Sequence, residues 1–159
     1  MTGREILYKY IGYIRAGHNS GSKLRLAINV AAWSTNCDLN YYQGRVSSTG
    51  RIRKDAGKKS IEVNGRSLDS LLEELNREIP ANWIKIDVEG AELEVLRGLN
   101  KTLCFNSPRL FIEVINDNEV EFENYMHTLN YNYYIIPESI AEDLKYYYCW
   151  RNSERKIGR

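Results

Sequence analysis

The chain has 159 residues, of which 43% are hydrophobic and 27% charged, and its formal net charge is +1. This composition is that of a single globular domain and excludes a disordered chain, because disordered segments are poor in apolar residues and rich in net charge. The small net charge provides no long-range attraction to nucleic acid or to an anionic membrane, and no apolar run reaches the roughly 20 residues of a membrane-spanning helix.

A helix is predicted at the start of the chain. Thr2 and Glu5 fit a capping box, in which the hydroxyl and the carboxylate satisfy backbone donors of the first turn. Apolar residues then recur at helical spacing, so residues 3–16 are predicted to form an amphipathic helix. The Gly/Ser/Asn-rich segment 18–23 ends this helix as a loop.

Three short segments that follow are predicted to be strands: residues 24–33, 39–43 and 60–63. The polar stretch 44–59 is expected to be an exposed loop. Its basic residues are Arg51, Arg53, Lys54, Lys58 and Lys59. They have no aromatic residue among them on which a base could stack, so we expect no nucleic-acid partner.

From residue 67 onwards, predicted helices and strands alternate. Ser67 is expected to cap a helix whose leucines recur at i, i+3, i+4 and i+7 from Leu68. Further helices are predicted at 91–103 and 119–129, and strands at 82–88, 109–115, 131–136 and 145–150. The last two strands are too close for a helical crossover and should pair antiparallel. The alternation predicts an α/β fold with a mostly parallel sheet, in which ligands bind at the carboxyl ends of the strands.

The cysteines and the first residues bear on the compartment. Cys37, Cys104 and Cys149 are far apart and odd in number, which argues against a disulfide framework or a zinc site. We expect them to be small apolar fillers in a reducing compartment, and we expect no metal. The first ten residues lack the apolar segment of a signal peptide, so a cytoplasmic location with no membrane partner is expected.

The most informative string, IKIDVEGAELEVLRG, begins at Ile84. Asp87 follows the predicted strand, Glu89 lies in the turn, and Glu92 lies in the first turn of the next helix. Neighbouring carboxylates repel one another, and proteins tolerate this where the groups share a cation, accept a proton or cap a helix. A structural interpretation stays open, because acidic residues in a first helical turn interact favourably with the helix dipole.

This string, extended to IKIDVEGAELEVLRGL at 84–99, resembles the signature of the FkbM family of S-adenosylmethionine-dependent methyltransferases. An apolar strand ending in Glu follows the signature in that family, and here RLFIEV occupies 109–114. Upstream, IEVNGRSLDSLLEEL at 61–75 and INVAAWSTNCDLNYY at 28–42 are similar to earlier segments of the family. The resemblance therefore covers about residues 24–115, which one accidental motif explains poorly.

The resemblance implies a class I methyltransferase fold, which is Rossmann-like with a mostly parallel sheet and a C-terminal antiparallel hairpin. It also implies transfer of a methyl group from S-adenosylmethionine to a hydroxyl of a sugar, glycan or natural product. Asp87 and Glu89 are the candidates for the carboxylate that takes the proton of that hydroxyl. Glu113, at the end of the next strand, is a third candidate for the same crevice, against the alternative of a solvated strand-end acid.

The resemblance further implies a segment that the sequence lacks. Such enzymes hold the cofactor with a first strand, a glycine-rich turn and an acidic residue after the second strand. The 23 residues before Leu24 contain no such turn, so the cofactor-binding residues stay unknown. We expect residues 1–159 to form one truncated domain without the N-terminal strand–helix–strand unit. Its parts would be a helix and loop at 1–23, a family-like core at 24–151 and a tail at 152–159.

The missing strand also leaves two functions open. It would lie between the segments at 24–33 and 82–88, so the latter should present an unpaired apolar edge to another chain. A fragment or split methyltransferase would then depend on an N-terminal partner chain or on self-association. The alternative is a non-catalytic remnant or interaction module of the same fold.

Weak cofactor binding is the first testable consequence. Each lost hydrogen bond costs about 1 kcal/mol, so a chain without the glycine-rich turn and the ribose acid should bind S-adenosylmethionine with a Kd of about 1 mM or worse. Titration calorimetry measures this directly. Micromolar binding would contradict the prediction and would mean that other residues form the cofactor site.

Overall fold

The computed structural model describes residues 14–16, 24–26, 28–42, 51–52, 60–75, 81–88, 90–137 and 144–152. These residues form a mixed α/β structure with four α-helices, two four-stranded sheets and a separate pair of strands. The separate pair consists of β1 (Ile14–Ala16) and β2 (Leu24–Leu26), which run antiparallel. None of the helices in the described part of the chain is long and apolar enough to cross a membrane.

The first sheet contains β3 (Ala31–Ala32), β4 (Cys37–Tyr42), β5 (Arg51–Ile52) and β6 (Ser60–Arg66). Its spatial order is β3-β6-β4-β5. The long strands β4 and β6 pair antiparallel over six residues each, whereas β3 joins the other side of β6 in parallel. The chain therefore doubles back after β3 before it reaches β6.

The second sheet contains β7 (Trp83–Ile86), β8 (Arg109–Ile115), β9 (Asn132–Ile135) and β10 (Leu144–Trp150). Its spatial order is β7-β8-β10-β9. Strands β7 and β8 are parallel neighbours, and β10 pairs antiparallel with both β8 and β9. The one parallel pair of this sheet therefore lies at one side, with its carboxyl ends next to each other.

Four helices connect these strands: α1 (Leu68–Glu74), α2 (Glu92–Arg97), α3 (Asn100–Asn106) and α4 (Glu119–Thr128). The Ser67 hydroxyl caps α1 by accepting a bond from Ser70 N at 3.2 Å. A 3₁₀ turn at Asn116–Asn118 leads from β8 directly into α4. Connections of this kind leave the carboxyl ends of β7 and β8 beside the first residues of α2 and α4.

The hydrophobic core lies between one face of the second sheet and helices α2 to α4. Alternate residues of β8, Leu110, Ile112 and Val114, are fully buried there, as expected for a strand with one inward face. The helices contribute Leu93, Leu96, Leu99, Leu103, Phe122 and Met126. The other face carries an aromatic row in which Phe111 stacks on Tyr146 with ring centroids 5.5 Å apart.

Asp69 connects α1 with the start of α3. Its Oδ2 accepts a bond from Lys101 N at 2.7 Å, and its Oδ1 accepts bonds from Thr102 N at 3.1 Å and Thr102 Oγ1 at 2.7 Å. The N-cap residue of α3, Leu99, has no side chain that can satisfy these amides. A carboxylate from another helix therefore caps α3 and holds α1 against the second sheet's core.

Gly98 forms a second contact, which joins the end of α2 to the start of α1. Its carbonyl accepts bonds from Asp69 N at 2.9 Å and from Ser67 Oγ at 3.2 Å. A Cβ atom added at Gly98 would lie 2.0 Å from the carbonyl oxygen of Trp33, a distance at which the backbone would have to move. Only glycine therefore fits where the chain leaves α2.

Most of the predicted elements after residue 36 are confirmed, including the helices that begin near Leu68 and Glu119 and the C-terminal antiparallel hairpin. The predicted helix 91–103 is wrong in one respect, because it is two helices that meet at Gly98. Its apolar repeat continues through the break, whereas the close approach of Trp33 does not show in the local pattern.

Three predictions for the first part of the chain need correction. Residues 14–16 of the predicted helix form strand β1, and residues 3–13 lie outside the described residues. The predicted strand 24–33 is two short strands, β2 and β3, which pair with different partners. The predicted loop 44–59 contains the short strand β5, because Arg51–Ile52 pairs with β4.

The expected mostly parallel sheet is also wrong for the described strands. Of their pairings, β3 with β6 and β7 with β8 are parallel, and the other five are antiparallel. The α/β class is nevertheless confirmed. Among the predicted cysteine fillers, only Cys149 is buried, whereas Cys37 and Cys104 are exposed.

Removing the Asp69 carboxylate should destabilise the chain. Asp69→Ala leaves the first amides of α3 without their acceptor, so we expect the free energy of unfolding to fall by about 1–2 kcal/mol in urea titration. Glu73→Ala is the matched control on the same helix, because the Glu73 carboxylate makes an exposed ion pair with Lys101, and exposed pairs contribute little. Equal losses for both variants would contradict the capping role.

The edge at β7 should cause self-association. In the described sheet β7 has a neighbour on one side only, and Trp83 at its start is 60% exposed. The inward face of the strand is apolar, whereas on its exposed side Trp83 is followed by the charged residues Lys85 and Asp87. Unpaired edges of this kind pair with other chains.

We therefore expect light scattering after size-exclusion chromatography to give a mass above the 18.5 kDa of one chain. Trp83→Lys should shift the population towards the monomer, because edge lysines oppose strand pairing. Val120→Lys is the control, since it changes an exposed apolar residue on helix α4, away from both edges of the sheet. A monodisperse wild-type monomer with a cooperative melt would refute self-association.

Candidate functional site

The candidate site lies at the carboxyl ends of β7 and β8. Ile86 and Ile112 are register partners, and Asp87 and Glu113 each follow one residue later. Adjacent strands are about 5 Å apart, so the two acidic residues occupy corresponding positions on neighbouring strands. They do not lie on opposite edges of the sheet, the arrangement that would have excluded a common crevice.

Asp87 is accessible from solvent. Its side chain is 41% exposed, and its Oδ2 accepts a bond from Lys85 Nζ at 3.0 Å. Both side chains are on the same face of the strand end and both face water, so this ion pair is weak and easily exchanged. The Asp87 carboxylate is therefore available to a ligand at the edge of the sheet.

Glu113 has a different environment. It is 9% exposed and lies opposite Tyr146 of β10 in the sheet register. Its negative charge is close enough to Glu92 to disfavour ionisation of that residue. A carboxylate removed from water in this way is costly unless its surroundings compensate. The solvated strand-end acid that the sequence left open as an alternative is therefore wrong for Glu113.

Glu89 lies outside the described residues. Its neighbours Val88 and Gly90 are described, and they place the turn between β7 and α2. The proposed role of Glu89 stays a prediction.

Three residues tie this turn to the turn that follows β8. Gly90 N donates to Glu92 Oε1 at 2.7 Å, and Asn118 Nδ2 donates both to Gly90 O at 3.2 Å and to Glu92 Oε2 at 3.3 Å. Gly90 has a φ of 101°, a conformation that residues with a side chain rarely adopt. We call Gly90, Glu92 and Asn118 the turn clamp.

Burial changes the acidity of Glu92. The residue is 1% exposed, and loss of hydration raises the pKa of its carboxyl. The bonds from Gly90 N and Asn118 lower this pKa, and the charge of Glu113 raises it further, so that the pKa remains above its usual value of 4.5. Glu92 is therefore an acid whose neutral form is favoured by its surroundings.

A second polar cluster joins the start of α4 to β10, next to the clamp in the sequence. Lys145 Nζ donates to Glu119 Oε1 at 2.5 Å, and the buried Tyr147 hydroxyl lies 2.8 Å from Glu119 Oε1 and 3.0 Å from Glu123 Oε1. The Lys145 ammonium and the Tyr147 hydroxyl lower the pKa of Glu119, in that order of effect. Because Glu119 follows Asn118 directly, this cluster fixes the start of α4 and with it the Asn118 side chain.

Sequence reasoning located Asp87 and Glu113 and underrated the clamp. The helix dipole is one of the interpretations that the sequence leaves open for Glu92, whereas in the structure its carboxylate folds back onto the Gly90 amide at the start of the six-residue helix α2. The two-residue spacing of Gly90 and Glu92 was the available signal. Asn118 has no local signal, since its partners are 26 and 28 residues away in the chain.

A comparison with known families decides the classification. The sequence model of the Methyltransferase FkbM domain matches residues 9–136. The chain belongs to the FkbM methyltransferase family. No curated protein and no solved structure matches it. The family match extends beyond 24–115 on both sides, so it includes part of the N-terminal segment that the sequence motifs had left outside the family-like core.

In this FkbM-family chain, the site can hold or move a proton. The accessible Asp87 carboxylate can accept one from a bound hydroxyl, and the nearly buried Glu113 adds negative charge nearby. Within the described residues, no group of three or more His, Cys, Asp or Glu side chains is arranged to hold a metal ion.

Glu92 should make stability depend on pH. Its pKa is higher in the folded chain than the usual 4.5, so the folded state holds this proton more tightly than the unfolded state. The resulting stabilisation is complete below about pH 4.5 and is lost as the pH rises through the raised pKa. In Glu92→Gln this dependence is absent. The stability of the variant relative to the wild type should therefore increase from about pH 4.5 upwards and then level off.

Urea unfolding of both proteins across a pH series measures this difference. The comparison uses only its change with pH, because the amide also alters hydrogen bonds at all pH values. Two stability curves that stay parallel through the acidic range would show that Glu92 ionises with an ordinary pKa.

Proposed function

We propose that this FkbM-family chain is an S-adenosylmethionine-dependent methyltransferase that acts on an aliphatic hydroxyl of a sugar or natural product, within a class I methyltransferase fold. The observation that supports the proposal most is the parallel pair β7 and β8, which carries Asp87 and Glu113 at corresponding positions. Ligands of open α/β sheets bind outside such carboxyl ends.

The cofactor fits the charge of this edge. When bound, S-adenosylmethionine supplies a methyl group on a positively charged sulfur, which becomes a neutral thioether on transfer. Exposed Asp87 and nearly buried Glu113 provide negative charge of the kind that attracts such a cation. The residues that would hold the adenosine stay unassigned, because the described turn after β7 contains the single glycine Gly90 rather than a glycine-rich loop.

Asp87 would act as the general base. An aliphatic hydroxyl is a weak nucleophile, so a carboxylate that accepts its proton as the new oxygen–carbon bond forms lowers the barrier. The proton would pass from the hydroxyl to Asp87, and the accessible position of Asp87 then allows its return to water. Glu89 and Glu113 remain the other candidate bases.

A binding module is the second candidate function. The exposed Trp83 at the open side of β7 supports it, with Arg109 lying over the indole ring at 5.4 Å. An N-terminal partner chain or a second copy would occupy that edge. If the chain binds a partner but transfers no methyl group at millimolar S-adenosylmethionine, the binding function is favoured over the enzymatic function.

The test of the enzymatic function is methyl transfer from labelled S-adenosylmethionine to a panel of sugars and polyols, at millimolar cofactor. Asp87→Asn should lower kcat by about 100-fold or more, as for loss of a general base, while the KM for the cofactor changes by less than about threefold. Asp117→Asn is the control, since Asp117 is an exposed acidic residue in the turn after β8.

Equal effects of Asp87→Asn on kcat and on cofactor binding would assign Asp87 a structural or cofactor-binding role. Unchanged kcat would leave Glu89 or Glu113 as the base. Absence of transfer by the wild type to every acceptor would count against the enzymatic function of this chain.

A further inference from the structure

We propose that Glu92 and Asn118 are positioning residues, which set the direction of the Asp87 carboxylate by holding the turn after β7 in the turn clamp. The inference rests on the methyltransferase function proposed above, because it assigns two more residues to the same site. Neither side chain takes part in the proton transfer itself. Their contribution is to the geometry in which that transfer occurs.

The clamp requires the chemical groups that it contains. Asn118 Nδ2 donates to two acceptors at once, the Gly90 carbonyl and the Glu92 carboxylate. An amide nitrogen has two hydrogens and can do this, whereas an aspartate at the same position would present oxygens to oxygens. Each oxygen of Glu92 accepts a hydrogen bond, one from Gly90 N and the other from Asn118 Nδ2. The three residues therefore form a closed set of complementary bonds.

The described residues of the turn include two positions with little local restraint of their own. Gly90 has a positive φ and a large conformational freedom in the unfolded chain. Ala91, the N-cap residue of α2, has no side chain that bonds to the helix amides. The clamp bonds the Gly90 amide and carbonyl to Glu92 and to Asn118, so hydrogen bonds join the turn after β7 to the turn after β8.

Asp87 depends on the clamp because its own restraints are weak. Its ion pair with Lys85 is exposed on both sides and restrains it little. A base in a transfer reaction must be held within a fraction of an ångström of its working position. Asp87 is three residues before Gly90, so the direction of its backbone is set by β7 on one side and by the clamp on the other.

The clamp has a cost to folding, because it buries a carboxyl group. Glu92 is almost completely buried with a second acidic residue, Glu113, nearby. An apolar side chain of similar size would fill such a position without the loss of hydration. Retention of a carboxylate here is explained if its oxygens are needed to hold the turn.

The experiment compares four variants of the full chain in the methyl-transfer assay: Asn118→Ala, Asp87→Asn, the double variant and Asp117→Ala. Asn118→Ala should lower kcat by about 10- to 100-fold, the cost of misplacing a reacting group, with the KM for S-adenosylmethionine within about twofold of wild type. Asp117→Ala changes the neighbouring exposed side chain and should leave kcat unchanged.

The double variant separates positioning from general damage. If Asn118 acts through Asp87, the double variant should be no slower than Asp87→Asn alone, to within about twofold. Losses that multiply would show that Asn118 acts independently of Asp87 and would overturn the proposal. Asn118→Asp, which keeps the shape of the side chain, should be as slow as Asn118→Ala, and rates are compared per folded molecule after a thermal melt of each variant.

A second measurement needs no turnover. The carboxyl ¹³C signal of Asp87 and the amide signal of Gly90 should both move in Asn118→Ala and stay in place in Asp117→Ala. Unmoved signals in Asn118→Ala would overturn the proposal whatever the activity. A wild type without methyl transfer would count against the proposed enzyme, and these two signals would still decide whether the clamp sets the position of Asp87.

Discussion

The fold depends on how closely the chain approaches itself at Gly98. The Trp33 carbonyl occupies the space that a side chain at Gly98 would need, and the Gly98 carbonyl accepts bonds from the start of α1. Asp69 completes the contact by capping α3. These contacts of Trp33, Gly98 and Asp69 hold the first sheet against the helices that cover the second sheet. Since α2 has only six residues, a displacement at Gly98 would be transmitted to Glu92 at its other end.

Local pattern was sufficient for much of the second sheet and its helices. The alternating apolar residues of β8 and the helical repeat of α4 are properties of short segments, and both elements lie where the pattern predicts them. The break at Gly98 and the antiparallel return of β4 onto β6 depend on contacts between distant segments. The helical periodicity of the sequence continues through the break at Gly98, so the pattern does not show it. Strand propensity does not indicate that β4 pairs with β6.

The same distinction applies to the site. The neighbouring positions of Asp87 and Glu113 were predictable, because adjacent parallel strands run to a common edge of the sheet by topology alone. Asn118 was not, since its amide acquires its partners only when the turn after β8 approaches the turn after β7. Glu92 lies between these cases. The sequence shows that Glu92 lies in the first turn of a helix, but its burial and its two bonds follow from the packing of α2.

The place of β10 in the second sheet affects how the chain can fold during synthesis. It is the last of the described strands in sequence, yet it lies between β8 and β9 and pairs with both. Its side chains Tyr147 and Cys149 complete the apolar layer under the helices. While the ribosome still holds residues 144–150, β8 and β9 have no common neighbour and the layer beneath α4 stays open to water. Chaperone binding during translation would therefore protect this sheet until β10 emerges, since exposed apolar surface of this kind promotes aggregation.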